Sequence, residues 1–450
     1  QFASSAASDV YKRQSNNSGG GIYSLADSNF TVSGSTIEGN SADEGGGVYL
    51  RSNMAMMDCM VNNNHANTSG GGVMASDIGE AEMVNSTITN NHSDGFGGGI
   101  TVDIGGVKII NSTIDSNHAD MGAGGIVLSN GQAEIINTTI SNNQAASREG
   151  GGIFISAGVA TIMNSTISNN HADEEGGGIA IFSGEANIEN ATISGNSTAE
   201  DGGGIFSSLS DISLTSVTIT NNTSEVGSAG YSWIGTGTHS FTNSIIAGNT
   251  WDGIAFDLYG NSTVSSGGYN IIGVDDFNIF SADNTDMIGS WASPIDPGLD
   301  SLADNGGPTY THALLLCSPA FNASYATDTN SFDQRGFPRI AFGTRDIGAF
   351  ESQVDLDTVA PSITCPQDID NGCSGIVAWL PPVATDNCRL KTMTGNYASG
   401  TFFPVGLSIV TYVATDFSGK QDSCSFNVTV HALPSADAAV SYTHLTLPTM

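Results

Sequence analysis

The chain has 450 residues, among them 57 glycines, 12 prolines, and only 11 lysines and arginines against 45 aspartates and glutamates, giving a formal net charge of −34. Such a body cannot neutralise a run of phosphates, so nucleic acid is excluded as a direct partner and an anionic membrane surface is disfavoured. Charged residues are only 12% of the chain, no apolar run approaches the ~20 residues of a membrane helix, and the length suggests two or three domains.

Taken from the N-terminus, residues Ser4–Gln14 and, at the other end, Val440–Met450 differ in character from everything between them. They resemble translated sequencing-adapter tails. Segments 1–14 and 432–450 (the latter a short linker plus tail) are therefore set aside as non-native ends, which leaves a leader or anchor undecided.

Residues 15–255 are a repeat. A Gly-Gly-Gly-Ile/Val phrase ends at Gly21, Gly47, Gly72, Gly99, Gly125, Gly152, Gly178 and Gly204, with a degraded copy at Gly230, so the period is close to 26 residues. Within each period a second phrase recurs, as in Asn85-Ser86-Thr87-Ile88 and Asn164-Ser165-Thr166-Ile167. Three residues after its Ile comes an asparagine in every copy: Asn40, Asn64, Asn91, Asn117, Asn143, Asn170, Asn196, Asn222 and Asn249. Runs such as Ile126-Val127-Leu128 and Ile153-Phe154-Ile155, bounded by Gly, Asn and Ser, read as short strands. A 26-residue unit with two or three strands and no helix predicts one turn of a parallel β-helix. Nine turns stacked ~4.8 Å apart make a rod on the order of 40 Å long. Stacking puts like on like: Ile and Val columns fill the interior, the asparagine amides form a ladder at one corner where αL is tolerated, and the glycines make another tight corner.

Two polar columns follow from the same register. Acidic residues precede the glycines at Asp43, Glu44, Asp94, Asp120, Glu149, Asp173, Glu174, Glu175, Glu200, Asp201 and Glu225. Glu174 shares a slot with Glu200, and Glu175 with Asp201. Stacked carboxylates repel, and a calcium ion relieves that repulsion, so these four are the candidate metal ligands; the competing expectation is a solvated corner eased by Arg148. No cofactor is required on either reading. Histidines follow the ladder asparagine at His65, His92, His118 and His171, where an exposed, drifting position argues against metal binding.

The Gly-Gly-Gly-Ile and Asn-Ser-Thr-Ile phrases together resemble secreted bacterial right-handed β-helix proteins, and less closely the polymorphic outer-membrane proteins. Over 256–352 the text changes to Asp304-Asn305-Gly306-Gly307-Pro308, Thr311-His312-Ala313-Leu314, Asp333-Gln334-Arg335-Gly336 and Asp346-Ile347-Gly348-Ala349-Phe350-Glu351. This series resembles the closing region of choice-of-anchor Q proteins, with Cys317 where that family usually has Gly. Its expected role is a cap over the open edge of the last coil.

A linker is expected at 353–359. Beyond it, 360–431 carries Ile363-Thr364-Cys365-Pro366, Trp379, Ala384-Thr385-Asp386-Asn387-Cys388, Ala414-Thr415-Asp416 and Cys424-Ser425-Phe426, and resembles a hyalin-repeat (HYR) domain along its whole length. Alternating Val410, Tyr412 and Ala414 agree with an immunoglobulin-like sandwich of about seven short strands. Four of the six cysteines, Cys365, Cys373, Cys388 and Cys424, lie here, which implies two disulfides and an oxidising compartment. Three pairings are open; the preferred one joins first and last strands through Cys365–Cys424, with Cys373–Cys388. Cys59 and Cys317 are expected unpaired.

The fold expected is therefore all-β: a right-handed parallel β-helix of about nine coils, a cap and an immunoglobulin-like sandwich. The function expected is extracellular or cell-surface adhesion or ligand binding by a monomeric rod, with glycans or surface proteins as partners and no catalysis. The alternative is a polysaccharide hydrolase or lyase. Against it, the coils hold only Arg51, Lys108 and Arg148 as cations, and so acidic a body repels an anionic polymer. Tyr231, Trp233, Trp251 and Trp291 are candidates for stacking on sugars, or else for filling the cap core.

Overall fold

A computed structural model describes residues 9–434 except 11–12, 16, 25–28, 77–79, 326–330 and 374. Most of segment 1–14 and all of 435–450 thus lie outside the described residues, although Asp9–Val10 pairs in parallel with Thr36–Ile37. The chain divides between Leu356 and Asp357 into two compact units, both built from strands.

The first unit is a β-solenoid. Nine complete coils run from Ile22 to Trp251, each with four strands, where the sequence pattern predicts two or three. One coil shows why. Ile100–Val102 is followed by Gly106–Ile110, Thr113–Asp115 and then the two-residue strand His118–Ala119, which is too short to leave a periodic signature. Equivalent strands of successive coils pair in parallel, making four long sheets. Ile88, Ile114, Ile140, Ile167, Ile193 and Ile219 are consecutive register partners, all with no exposed surface. Toward the C-terminal end the aliphatic columns give way to Tyr231, Trp233 and Phe241, also fully buried.

The asparagine ladder runs inside this core. The Asn143 amide nitrogen donates to Asn170 Oδ1 at 2.9 Å and to the Ile114 carbonyl at 3.0 Å, while its Oδ1 accepts from the main-chain N–H and the side-chain amide of Asn117, both at 3.0 Å. The same side-chain link continues unbroken from Asn40 to Asn249. A buried polar side chain is tolerated only when its donors and acceptors are matched, and stacking identical residues matches them automatically. The ladder asparagines are not themselves left-handed. The αL residue is the one before, as at Asn63 (φ 53°) and Asn169 (φ 55°), and a second left-handed corner is the first Asn of the Asn-Ser-Thr-Ile phrase, as at Asn164 (φ 51°).

A second ladder, unforeseen in the sequence, runs through hydroxyls. The main-chain N–H groups of Cys59, Ser86, Ser112 and Thr138 each donate to the Ser or Thr hydroxyl oxygen one coil on. Both ladders stop at an aspartate. Asn249 gives its main-chain N–H and its amide to Asp257 Oδ1 at 2.9 and 2.8 Å; Asn270, which continues the hydroxyl column, gives the same two donors to Asp286 Oδ1. A carboxylate oxygen accepts without having an amide to hand on, so the chain leaves no orphaned donor, although Asp257 Oδ2 is itself buried without a hydrogen-bond partner.

At the glycine corner the backbones of neighbouring coils touch. A Cβ on Gly178 would lie 2.5 Å from the Gly204 carbonyl oxygen, and Gly176 holds φ +73°. Both facts demand glycine.

The described part of the closing region packs along the flank of the rod. The solenoid itself continues through Leu258–Gly260, Val264–Ser266 and Ile271–Ile272 and then Phe280–Ser281 and Met287–Ile288. The described residues between 297 and 352 fold back along the outer face of the third sheet. Gln334 donates to Thr166 Oγ1 (2.9 Å) and Tyr310 O (3.1 Å) and accepts from Thr192 Oγ1 (2.6 Å). Buried Arg339 reaches Asn190 Oδ1 and the Gly348 carbonyl, and His312 Nε2 meets Ser194 Oγ at 2.8 Å. The apolar part of the contact packs Leu314, Ala320, Phe321, Ile347 and Phe350 on Ile245 and Ile271. Hence the Gln334 and Arg339 neighbourhood clamps the flank of the later coils.

The second unit has a four-stranded sheet in the order Ile369–Asp370, Gln421–Val430, Gly406–Asp416, Leu390–Gly395, with two smaller strand pairs, Ser362–Thr364 with Val383–Thr385 and Ile376–Val377 with Thr401–Phe402. Its core is Val377, Trp379, Phe403, Val410, Phe426, Val428 and Val430. Cys365–Cys424 is formed, joining the first strand's end to the last strand. The expected Cys373–Cys388 bond is not: Cys373 is free and exposed, its thiol directed to the Ala432 carbonyl, whereas Cys388 is disulfide-bonded, as is Cys317, expected free. An even number of cysteines in a small domain does not require each to bond, and here Cys373 stays a thiol. Cys59 is free and buried in the coil core.

Candidate functional site

The polar edge beside the glycine corner carries the groups with the most chemistry. Because coils repeat in register, His65, His92 and His118 are direct strand partners, and their rings stack with centroids 5.2 and 5.0 Å apart. Asp94 Oδ1 lies 2.8 Å from His65 Nε2 and 3.0 Å from His92 Nε2; His118 and His171 face Asp120 and Asp173 at 3.1 Å each. Burial lifts the Asp94 carboxyl, but the two imidazole partners outweigh it and hold the pKa below the ordinary value. The arrangement is a half-exposed strip of His–Asp pairs in which every Nε2 already faces a carboxylate.

The acidic corner lies further along the same edge. Glu149, Glu174 and Glu175 bring carboxylate oxygens within 4.8 Å of one another. Partial burial, then the negative charge of Glu149, raises the Glu174 pKa, with Arg148 opposing and Glu200 adding to the rise. Glu175 is raised chiefly by burial, with Glu200, Glu149 and Glu174 contributing. The expected quartet is thus not the cluster that forms: Glu174 and Glu175 join Glu149 of the preceding coil. Asp201 instead accepts from the Ser228 N–H at 3.1 Å, its carboxyl raised by burial, and the Glu200 N–H donates to Thr198 Oγ1. Glu149 was legible in the acidic column, since it stands three residues before Gly152 as Glu175 stands three before Gly178 and so shares the Glu175 slot.

Of the aromatic candidates, Tyr231 and Trp233 belong to the interior. Tyr231 OH meets buried His239 Nδ1 at 2.6 Å, and burial drives the His239 pKa down to about 4. Trp251 and Trp291 lie outside, in a partly exposed cluster with Phe256, Tyr259 and Phe277. Such faces present flat apolar area to a ligand.

Four parallel sheets, an internal asparagine ladder and a repeat near 26 residues define the class of protein: a parallel β-helix joined to a small disulfide-linked β module. A family model for the right-handed beta helix region matches residues 7–139 and 98–271, which together span more than half of the chain. The chain belongs to the right-handed β-helix family. The HYR domain model matches residues 356–430. Among curated proteins, it is 41% identical over 97 residues to hyalin of Strongylocentrotus purpuratus, covering 20% of this chain and 8% of hyalin. It is 38% identical over 88 residues to the sushi, von Willebrand factor type A, EGF and pentraxin domain-containing protein 1 of Mus musculus, covering 18% of this chain and 2% of that protein. The chain therefore spans under a tenth of the length of either relative. No solved structure matches. Among the described residues no helix is long and apolar enough to cross a membrane.

Proposed function

We propose that this chain works outside the cell, secreted or at the cell surface of a bacterium, as a non-catalytic adhesion or ligand-binding protein. The observation that carries the reading is the union of a β-helix with an HYR module matched over residues 356–430 and similar to hyalin. The Cys365–Cys424 bond supports an oxidising compartment. On this reading the closing region is of the choice-of-anchor Q type, and the rod is a monomeric spacer. Its outer Ser, Thr and Asn rows, its aromatic cluster at Trp251 and Trp291, and the sandwich meet extracellular glycans or surface proteins. Repetition suits this work, since a periodic surface offers the same weak contact many times.

The test is binding without turnover. Purified protein should retain surface glycans or cells while generating neither new reducing ends nor unsaturated sugars from a panel of polysaccharides. Release of oligosaccharides, abolished by Glu174→Gln or Glu200→Gln, would overturn the reading in favour of a polysaccharide-degrading enzyme.

A further inference from the structure

We propose that the sandwich binds a calcium ion between the carboxylates of Asp357, Asp386 and Asp416. The three come from separate places in the sequence. Asp357 opens the unit, Asp386 follows the strand Val383–Thr385, and Asp416 ends the long strand Gly406–Asp416. Their side chains nevertheless converge, with one carboxylate oxygen from each inside a 4.8 Å set. Asp416 is 0% exposed and Asp357 4%. Like charges do not gather in a dry site unless something opposite is expected there.

The hydrogen bonds leave specific atoms over. Asp416 Oδ1 accepts from the Lys420 N–H at 2.8 Å, while its Oδ2 is buried with no hydrogen-bond partner. Asp386 Oδ2 accepts from the Cys388 N–H at 3.0 Å, and its Oδ1 is likewise buried and unpartnered. Asp357 Oδ1 takes the Val359 N–H and the Asn387 amide. In the turn after Asp416, the Ser418 hydroxyl is also buried without a partner. The Lys420 ammonium, which donates to the Asp357 main-chain carbonyl, brings one positive charge to a corner of three carboxylates. Burial raises the Asp416 pKa, and the charges of Asp357 and Asp386 raise it further.

The donor set chooses the metal. All the unsatisfied atoms are oxygens, with no imidazole or thiolate among the three residues, which suits a hard cation of flexible coordination over zinc or copper. Bound there, the ion would tie the start of the module to the segment around Asp386 and to the 416–420 turn. The rod's Glu149–Glu174–Glu175 corner also holds one buried oxygen without a hydrogen-bond partner, Glu149 Oε2, but its three residues are only half-buried and the charge of Arg148 opposes theirs.

Chelator-stripped full-length protein is titrated with CaCl2 by calorimetry. A saturable calcium heat is expected, in the ~0.1–1 mM range typical of extracellular modules. Asp416→Asn and Asp386→Asn should abolish it, and Glu174→Gln should keep it. Asp386 is the less buried of the pair, so its variant decides the matter if Asp416→Asn fails to fold. No heat at calcium tenfold above that range, heat unchanged in Asp386→Asn, or heat lost only in Glu174→Gln would each overturn the proposal.

Discussion

The rod and the sandwich reach stability by different routes. In the rod, the buried ladder asparagines are satisfied by their own copies one coil away: the Asn143 side chain makes four hydrogen bonds, two toward Asn117 and one each to Ile114 and Asn170. In the sandwich, a core of seven buried hydrophobic residues is stapled by Cys365–Cys424, and two buried carboxylate oxygens, Asp386 Oδ1 and Asp416 Oδ2, have no hydrogen-bond partner. Repetition removes the difficulty of burying polar groups, because matching partners arrive with every turn. A small module has no such supply and relies on cross-links.

That contrast can be broken in three places. The largest effect is expected from Asn143→Ala, which strands the main-chain and amide donors of Asn117 and takes one donor each from the Ile114 carbonyl and Asn170 Oδ1; it should cost about 3–5 kcal/mol in a denaturant melt, since each orphaned buried group costs roughly 1–3. A loss under about 1 kcal/mol would show that water replaces the amide. Next, Cys365→Ser should destabilise the sandwich by about 2–4 kcal/mol, seen as faster amide exchange in peptides from 376–430; unchanged exchange there would mean the core holds without its staple.

A third effect, read as a slope with pH, sharpens the end of the ladder. Burial pushes Asp257 up to about 7, although the two Asn249 donors pull it down. Between roughly pH 4 and 7 the folded chain holds a proton there that the unfolded chain has lost, so stability falls as pH rises through that window and levels off above it, by about 1.4 kcal/mol per unit. His239 works in the opposite direction, losing stability as pH falls from 6.5 toward about 4. Asp257→Asn should remove the Asp257 slope from guanidinium melts and leave the His239 contribution; an unaltered profile would place the titration elsewhere.

Much of this was legible in the residues because the fold is periodic. The nine ladder asparagines, the glycine corner and the Ile columns all follow from the 26-residue register, and Trp379, Val410 and Phe426 fall in the core of the module they mark. What escaped was whatever the period does not govern. Two-residue strands such as His118–Ala119 are too short for a pattern. The hydroxyl ladder was hidden because Ser, Thr and Cys share its slot. The terminators Asp257 and Asp286 sit at irregular steps of 8 and 16 residues from their donors. The flank contact of Gln334 and Arg339 spans more than 140 residues of sequence. The Asp triad had a signal, the Ala-Thr-Asp phrase that occurs twice within residues 357–430, but its convergence depends on how the sheets pair.

The account rests most on the claim that an inward amide column, and not the polar surface, holds the coils together. Asn143 and Gln144 are adjacent, one buried and the other exposed. Hydrogen-exchange mass spectrometry on the Asn143→Ala and Gln144→Ala proteins should show protection lost across the coils on either side for Asn143→Ala, and near-native protection for Gln144→Ala. Equal loss in both, or none in either, would contradict the claim.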